Sequence, residues 1–139
     1  MTLQWREQLS VGNDLIDADH KHLIGIINQA EQSLKTKNMV GLTSVIESLS
    51  NYSKIHFARE ELIAKAVAYP NVEHLHTSHA VLLTRLMQVK QEIGHELTEE
   101  SGAHFGAFLH DWLISHVIKE DMLLKPFLTK HSPRLDPRK

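Results

Sequence analysis

His56 and Glu60 stand four residues apart in a stretch whose apolar residues recur at helical spacing. Residues four apart on an α-helix lie one above the other, so this pair can aim an imidazole nitrogen and a carboxylate at one point. Both interrupt a stripe otherwise made of Leu42, Val45, Leu49, Tyr52, Ile63 and Val67. A buried carboxylate is costly unless it is paired or bound to a cation. Imidazole with carboxylate suits iron, manganese or zinc. Polar residues interrupt three other apolar stripes in the same way: His20, His79, and His116 followed by Glu120 and Asp121. A lone histidine on such a stripe is more often a hydrogen-bonded core residue. Four segments that each supply one, two of them with carboxylates nearby, point to metal binding.

These residues must be positioned by helices. Glycine and proline are sparse, and few segments alternate apolar and polar residues as half-buried strands do. A first helix is expected from about Ile16 to Lys35, with Ile16, Leu23, Ile27 and Leu34 on one stripe. A second runs from about Met39 to Val67, capped by Asn38 and ended by Tyr69-Pro70-Asn71. Asn71 can cap a third, with Val72, Leu82, Leu86, Val89 and Ile93 inside, which Gly94 stops. Thr98 or Ser101 caps a fourth, which reaches about Leu128 through Phe105, Leu109, Trp112, Leu113, Val117, Leu124 and Phe127, with Pro126 shortening or kinking its end. Short loops between long helices predict an all-α fold, an up-down-up-down antiparallel four-helix bundle. In that topology His20 and His79 come early in their helices, and His56-Glu60 and His116 come late. All four sets then fall near one end of the bundle.

Composition narrows the functional class. With 139 residues, one domain is expected, as a bundle over residues 1–130 with residues 1–12 as an N-terminal arm anchored by Trp5 and Leu9. Residues 131–139, polar and containing Pro133 and Pro137, are expected to form a flexible tail. A formal net charge of −2 with 23% charged residues gives no sign of a nucleic-acid or anionic-membrane partner. No apolar run approaches the roughly 20 residues of a membrane span. No signal-peptide core opens the chain. The absence of cysteine excludes disulfides, thiolate metal sites and cysteine nucleophiles. It agrees with the expected cytoplasmic location. The 11 histidines are the outlier, and position separates them. His22, His95, His104, His110 and His131 fall on surface or rim.

At this point the chain resembles the hemerythrin family in its single-domain bacterial form. The marks are Val11-Gly12 before Asp17-Ala18-Asp19-His20, then His56-Phe57-Ala58-Arg59-Glu60-Glu61. Tyr69-Pro70 follows, then His79, then Trp112-Leu113-Ile114-Ser115-His116 with Asp121. The resemblance implies two iron ions, oxo- or hydroxo-bridged, in the bundle core. His20 and His56 would bind one iron and His79 and His116 the other, with Glu60 and Asp121 bridging. Phe57, Trp112, Leu113 and Val117 would line an apolar pocket for dioxygen, a role compatible with ordinary core packing. Helical geometry alone favours Glu120, four residues after His116, over Asp121, which is five residues on and about 140° around the helix. A local widening of the helix would bring Asp121 inward. The resemblance selects Asp121 and leaves Glu120 as the alternative.

One position departs from the family pattern. Four residues before His79, where the family has a histidine, this chain has Leu75. The vacated coordination place is either left to water or a small anion, or filled by His76, three residues before His79. The expected function is an oxygen-binding protein (carrier, store or sensor) rather than an enzyme. Its rivals are a di-iron peroxidase or oxidase, a redox or nitric oxide sensing module with a signalling or redox partner protein, and a structural bundle that binds zinc or nothing. The ligands in view are dioxygen, nitric oxide, peroxide and small anions.

Overall fold

A computed structural model describes residues 3–93 and 99–138, with the backbone alone for residues 99–101. Helix α1 spans Asp14–Lys35, α2 Met39–Ala66, α3 Val72–Ile93 and α4 Glu99–Asp111. The fourth helical stretch then widens into a π-helix over Trp112–Ile118 and returns to α over Lys119–Asp121 (α5). It tightens to a 3-10 turn over Met122–Leu124 and finishes as α6, Lys125–Leu128. The architecture is a four-helix bundle. α1 packs on α2 and α4, and α2 packs on α3. Pro126 sits in the first turn of α6, where its missing N–H costs nothing. The expected stops and caps at Gly94, Thr98 and Ser101 lie outside the described residues or side chains. Among the described residues no helix is long and apolar enough to cross a membrane.

Local chemistry sets the helix ends. The Asn13 side chain accepts from the N–H groups of Leu15 and Ile16, both at 3.1 Å, and caps α1. Asn38 accepts from Gly41 N–H at 3.0 Å and caps α2, as its sequence position predicts. The Asn71 carbonyl receives the N–H of Leu75 at the start of α3. Helices α1 and α2 both end in paired reverse hydrogen bonds. Lys37 N–H reaches Leu34 O and Asn38 N–H reaches Ser33 O; Ala68 N–H reaches Lys65 O and Tyr69 N–H reaches Ala64 O. That Schellman geometry needs a left-handed residue, and here Lys37 (φ 54°) and Ala68 (φ 59°) supply it without glycine.

The N-terminal arm runs back along α1. Leu3 and Asn28 exchange two hydrogen bonds of 2.9 Å, and Asp17 accepts from Ser10 Oγ and Val11 N–H. Trp5 and Leu9 pack on the core, as expected. The tail also has partners: Pro133 O accepts from Asp14 N–H, and Leu135 O accepts from Asn13 Nδ2. Exposed backbone carbonyls next to the free N–H groups of a helix start explain this attachment.

The core divides in two. One cluster runs from Leu23 and Leu42 to Phe57, Leu82, Trp112, Leu113 and Val117. A smaller one holds Val11, Ile16, Ile63, Tyr69, Leu75, Leu124 and Leu128. A layer of buried ionisable groups joins them.

Candidate metal centre

Four side chains from three helical stretches meet in that layer: His20 of α1, His56 and Glu60 of α2, and Asp121 of α5. One donor atom from each lies within 4.8 Å of the other three. All four residues are fully buried. Asp121 Oδ2 lies 2.6 Å from His20 Nε2 and 3.3 Å from His56 Nε2. The two Glu60 oxygens face different imidazoles: Oε2 is 3.1 Å from His56 Nε2, and Oε1 is 3.2 Å from His79 Nε2 on α3. Glu60 Oε2, despite that short distance, lacks hydrogen-bond geometry, and Asp121 Oδ1 has no partner. Unsatisfied carboxylate oxygens in a dry layer cost more than the ~1–3 kcal/mol of a neutral polar group. A cation at their convergence offsets that cost, so the donor set fits a metal. Two imidazoles and two carboxylates match iron, manganese or zinc.

The ionisation of the layer follows from crowding. Burial, and then the Asp121 carboxylate, push Glu60 up to about 7. Burial also pushes Asp121 up, but the Glu60 carboxyl and the His20 and His56 imidazoles beside it hold it well below the usual carboxylate range. For His56, burial is outweighed by bonds to Asp121, Asp19 and Glu60, which raise it well above an ordinary histidine. His79 is raised by Glu60 and Glu61 in spite of its burial.

Carboxylates brace two of the imidazoles from behind. Asp19 Oδ2 accepts from His56 Nδ1 at 3.0 Å. Its other oxygen accepts from Tyr52 O–H at 2.7 Å and Arg59 Nη1 at 2.6 Å. Burial pushes the Asp19 carboxyl up, and bonds from His56 and Tyr52 with the charges of His56 and Arg59 bring it below its ordinary value. An ionised Asp19 only accepts, so His56 carries its proton on Nδ1 and turns Nε2 to the cluster. Glu61 does the same for His79, accepting from Nδ1 at 2.9 Å. Phe57 stacks on the His79 ring, with centroids 4.0 Å apart and planes 7° from parallel. Carboxylates behind metal-binding histidines fix tautomer and orientation in this way.

The sequence matches the hemerythrin HHE cation-binding domain over residues 11–128. The chain belongs to the hemerythrin family. A bacteriohemerythrin of Pseudomonas aeruginosa is 26% identical over 119 residues, covering 86% of this chain and 76% of the relative. One from Clostridium acetobutylicum is 22% identical over 122 residues, covering 84% and 94%. A crystal structure of wild-type hemerythrin superposes with a TM-score of 0.78 at 20% identity, over 93% of this chain and 99% of that one, which shows the shared fold. The hemerythrin family is one of non-haem iron proteins that bind oxygen rather than one of enzymes.

Of the six ligands expected from the hemerythrin pattern, the structure brings together His20, His56, Glu60 and Asp121, with His79 against Glu60. His116 is not brought to the cluster. Its side chain is 41% exposed and its Nε2 lies 3.2 Å from Asp111 Oδ2. Trp112, Leu113, Val117 and Ile118 fill the inward face of the π-helix, which turns His116 outward. The same widening precedes the turn that delivers Asp121 to the cluster. Glu120 instead accepts from Ser78 Oγ at 2.5 Å. His76 is no substitute either: its side chain is 72% exposed and bonds Glu61. Leu75 is buried in the smaller apolar cluster. Phe57, Trp112, Leu113 and Val117 are all buried on the other side of the layer. The sequence reading missed Asp19, Tyr52, Arg59 and Glu61. Asp19 precedes His20, and Arg59 and Glu61 flank Glu60; buried-face positions beside ligands were the available signal.

Proposed function

We propose that this chain holds non-haem iron in the His20–His56–Glu60–Asp121 cluster, extended by His79, and binds dioxygen there as a carrier, store or sensor. Iron held there would supply the redox chemistry for reversible binding of the gas. The observation that carries the reading is the way Glu60 presents one oxygen to His56 and the other to His79. A carboxylate so placed suits two neighbouring cations, with Asp121 as its companion.

The protein's own part is positional. Asp19 and Glu61 hold the His56 and His79 imidazoles with Nε2 inward. Phe57 clamps the His79 ring. Trp112, wedged by its Nε1–H to Leu82 O at 3.0 Å, forms a dry wall with Leu113 and Val117. Such a wall excludes water and protons from a bound gas and favours its departure unchanged. To test this, the iron-loaded protein is reduced without air and exposed to oxygen while its visible spectrum is recorded. A new absorption band that disappears on removing oxygen supports reversible binding. Direct passage to a ferric spectrum, with turnover of peroxide and a reductant, would favour the enzymatic alternative that Leu75 makes available.

A further inference from the structure

Resting on that reading, we propose that the two cation positions are unequal: a tight one with four protein side chains, and an exchangeable one for which His79 is the only imidazole among the described residues. The first position has His20 and His56 on one side and Glu60 and Asp121 on the other, all fully buried. The second has His79 Nε2, 3.2 Å from Glu60 Oε1, and the unpartnered Asp121 Oδ1. Its carboxylates are shared with the first.

One further imidazole would balance the pair, and among the described residues none is in place. Leu75 is one turn before His79 on α3. It is 1% exposed and packed in the apolar cluster with Ile16, Ile63 and Leu124. It offers no donor atom. His116 has its side chain 41% exposed and Nε2 engaged with Asp111. His76 is held outside by Glu61. One imidazole and two carboxylates make three ligands, as many as in the two-histidine, one-carboxylate facial set of iron proteins, which leaves about three of six octahedral places to solvent or substrate. Water and small anions would fill them here. Losing a single hydrogen-bonded support of a ligand weakens metal binding roughly 10–100-fold, and losing the ligand itself weakens it at least as much.

The test is iron release from the full chain. The protein is loaded with ferrous iron without air, freed of excess by desalting and challenged with a chelator. The expected result is two phases of equal size, the first at least about tenfold faster. His79→Ala should abolish the fast phase and keep the slow one. His116→Ala, a change on the protein's surface, should alter neither. Leu75→His should slow the fast phase; if circular dichroism shows that this variant does not fold, the His79 and His116 variants decide. Release of both irons at one rate, or loss of an iron in His116→Ala, would overturn the inequality and leave the iron reading intact. Retention of no iron by the native chain would overturn both.

Discussion

Asp19→Asn is a nearly isosteric change that strikes at the tautomer of His56. Asp19 is 1% exposed, and its two oxygens serve three donors: His56 Nδ1, Tyr52 O–H and Arg59 Nη1. An amide has one accepting oxygen. Arg59 has no lone pair to offer, so the amide nitrogen cannot face it without repulsion. The oxygen therefore stays with Arg59 and Tyr52, and the NH2 group turns to His56 Nδ1. That nitrogen must then accept, and the imidazole proton moves to Nε2, the atom that faces the metal cluster. Ligation would require reversing the tautomer against the amide. Loss of this kind of support costs 10–100-fold in metal affinity, about 1.4–2.7 kcal/mol. The stability loss should be about 1–3 kcal/mol. Charge-assisted bonds to Asp19 weaken, and the Arg59 side chain is 21% exposed, so its share is discounted for solvent. Competition titration with a metal indicator measures the affinity, and 15N chemical shifts of the imidazoles report the tautomer. Asp19→Ala, which imposes no tautomer, should bind metal better than Asp19→Asn while being less stable. An Asp19→Asn protein that binds metal within twofold of the native chain would refute the reasoning.

Other expectations follow from single features. Burial, and then the Asp19 carboxylate, raise the Tyr52 phenol to about 12. Its contribution to stability is therefore complete below pH 10 and lost as pH rises through 12; alkaline titration at the tyrosinate absorbance should show a late step that Tyr52→Phe removes. Ala68→Gly and Lys37→Gly should each stabilise the fold by about 0.5–1 kcal/mol, because both residues are exposed and left-handed; unchanged denaturation midpoints would contradict this. Trp112→Ala should cost about 3–5 kcal/mol by leaving a cavity beside Phe57, measured by chemical denaturation. Metal binding to metal-free protein near pH 6.5 should release protons into a weakly buffered indicator dye, since Glu60, His56 and His79 are all raised. Apparent affinity should therefore climb with pH, and binding without proton release would be the contrary result.

Much of this arrangement was legible in the residues. The His56–Glu60 spacing and the early-late alternation of the ligands along antiparallel helices put all four ligand sets near one end, and the bundle brings His20, His56–Glu60 and His79 together there. Asp121 was legible only through the family resemblance and the idea of a widened helix; the π-helix over Trp112–Ile118 sits just before it. His116 was expected beside it, and its side chain lies outward instead. Face assignments assume 3.6 residues per turn, and a π segment resets the register without a mark in the sequence. Asp19 and Glu61 were missed for another reason. A carboxylate behind a ligand histidine comes from an adjacent position or a neighbouring helix, and helical periodicity on one helix does not reveal cross-helix pairs such as Asp19 with His56.

Iron is proposed to reside in the buried histidine–carboxylate layer. Anomalous diffraction at the iron absorption edge, on crystals of the iron-loaded protein, tests it most directly. The strongest peak is expected among His20, His56, Glu60 and Asp121, with a weaker neighbour beside His79. Iron located elsewhere, or none in the layer of a fully folded, iron-exposed protein, would contradict it.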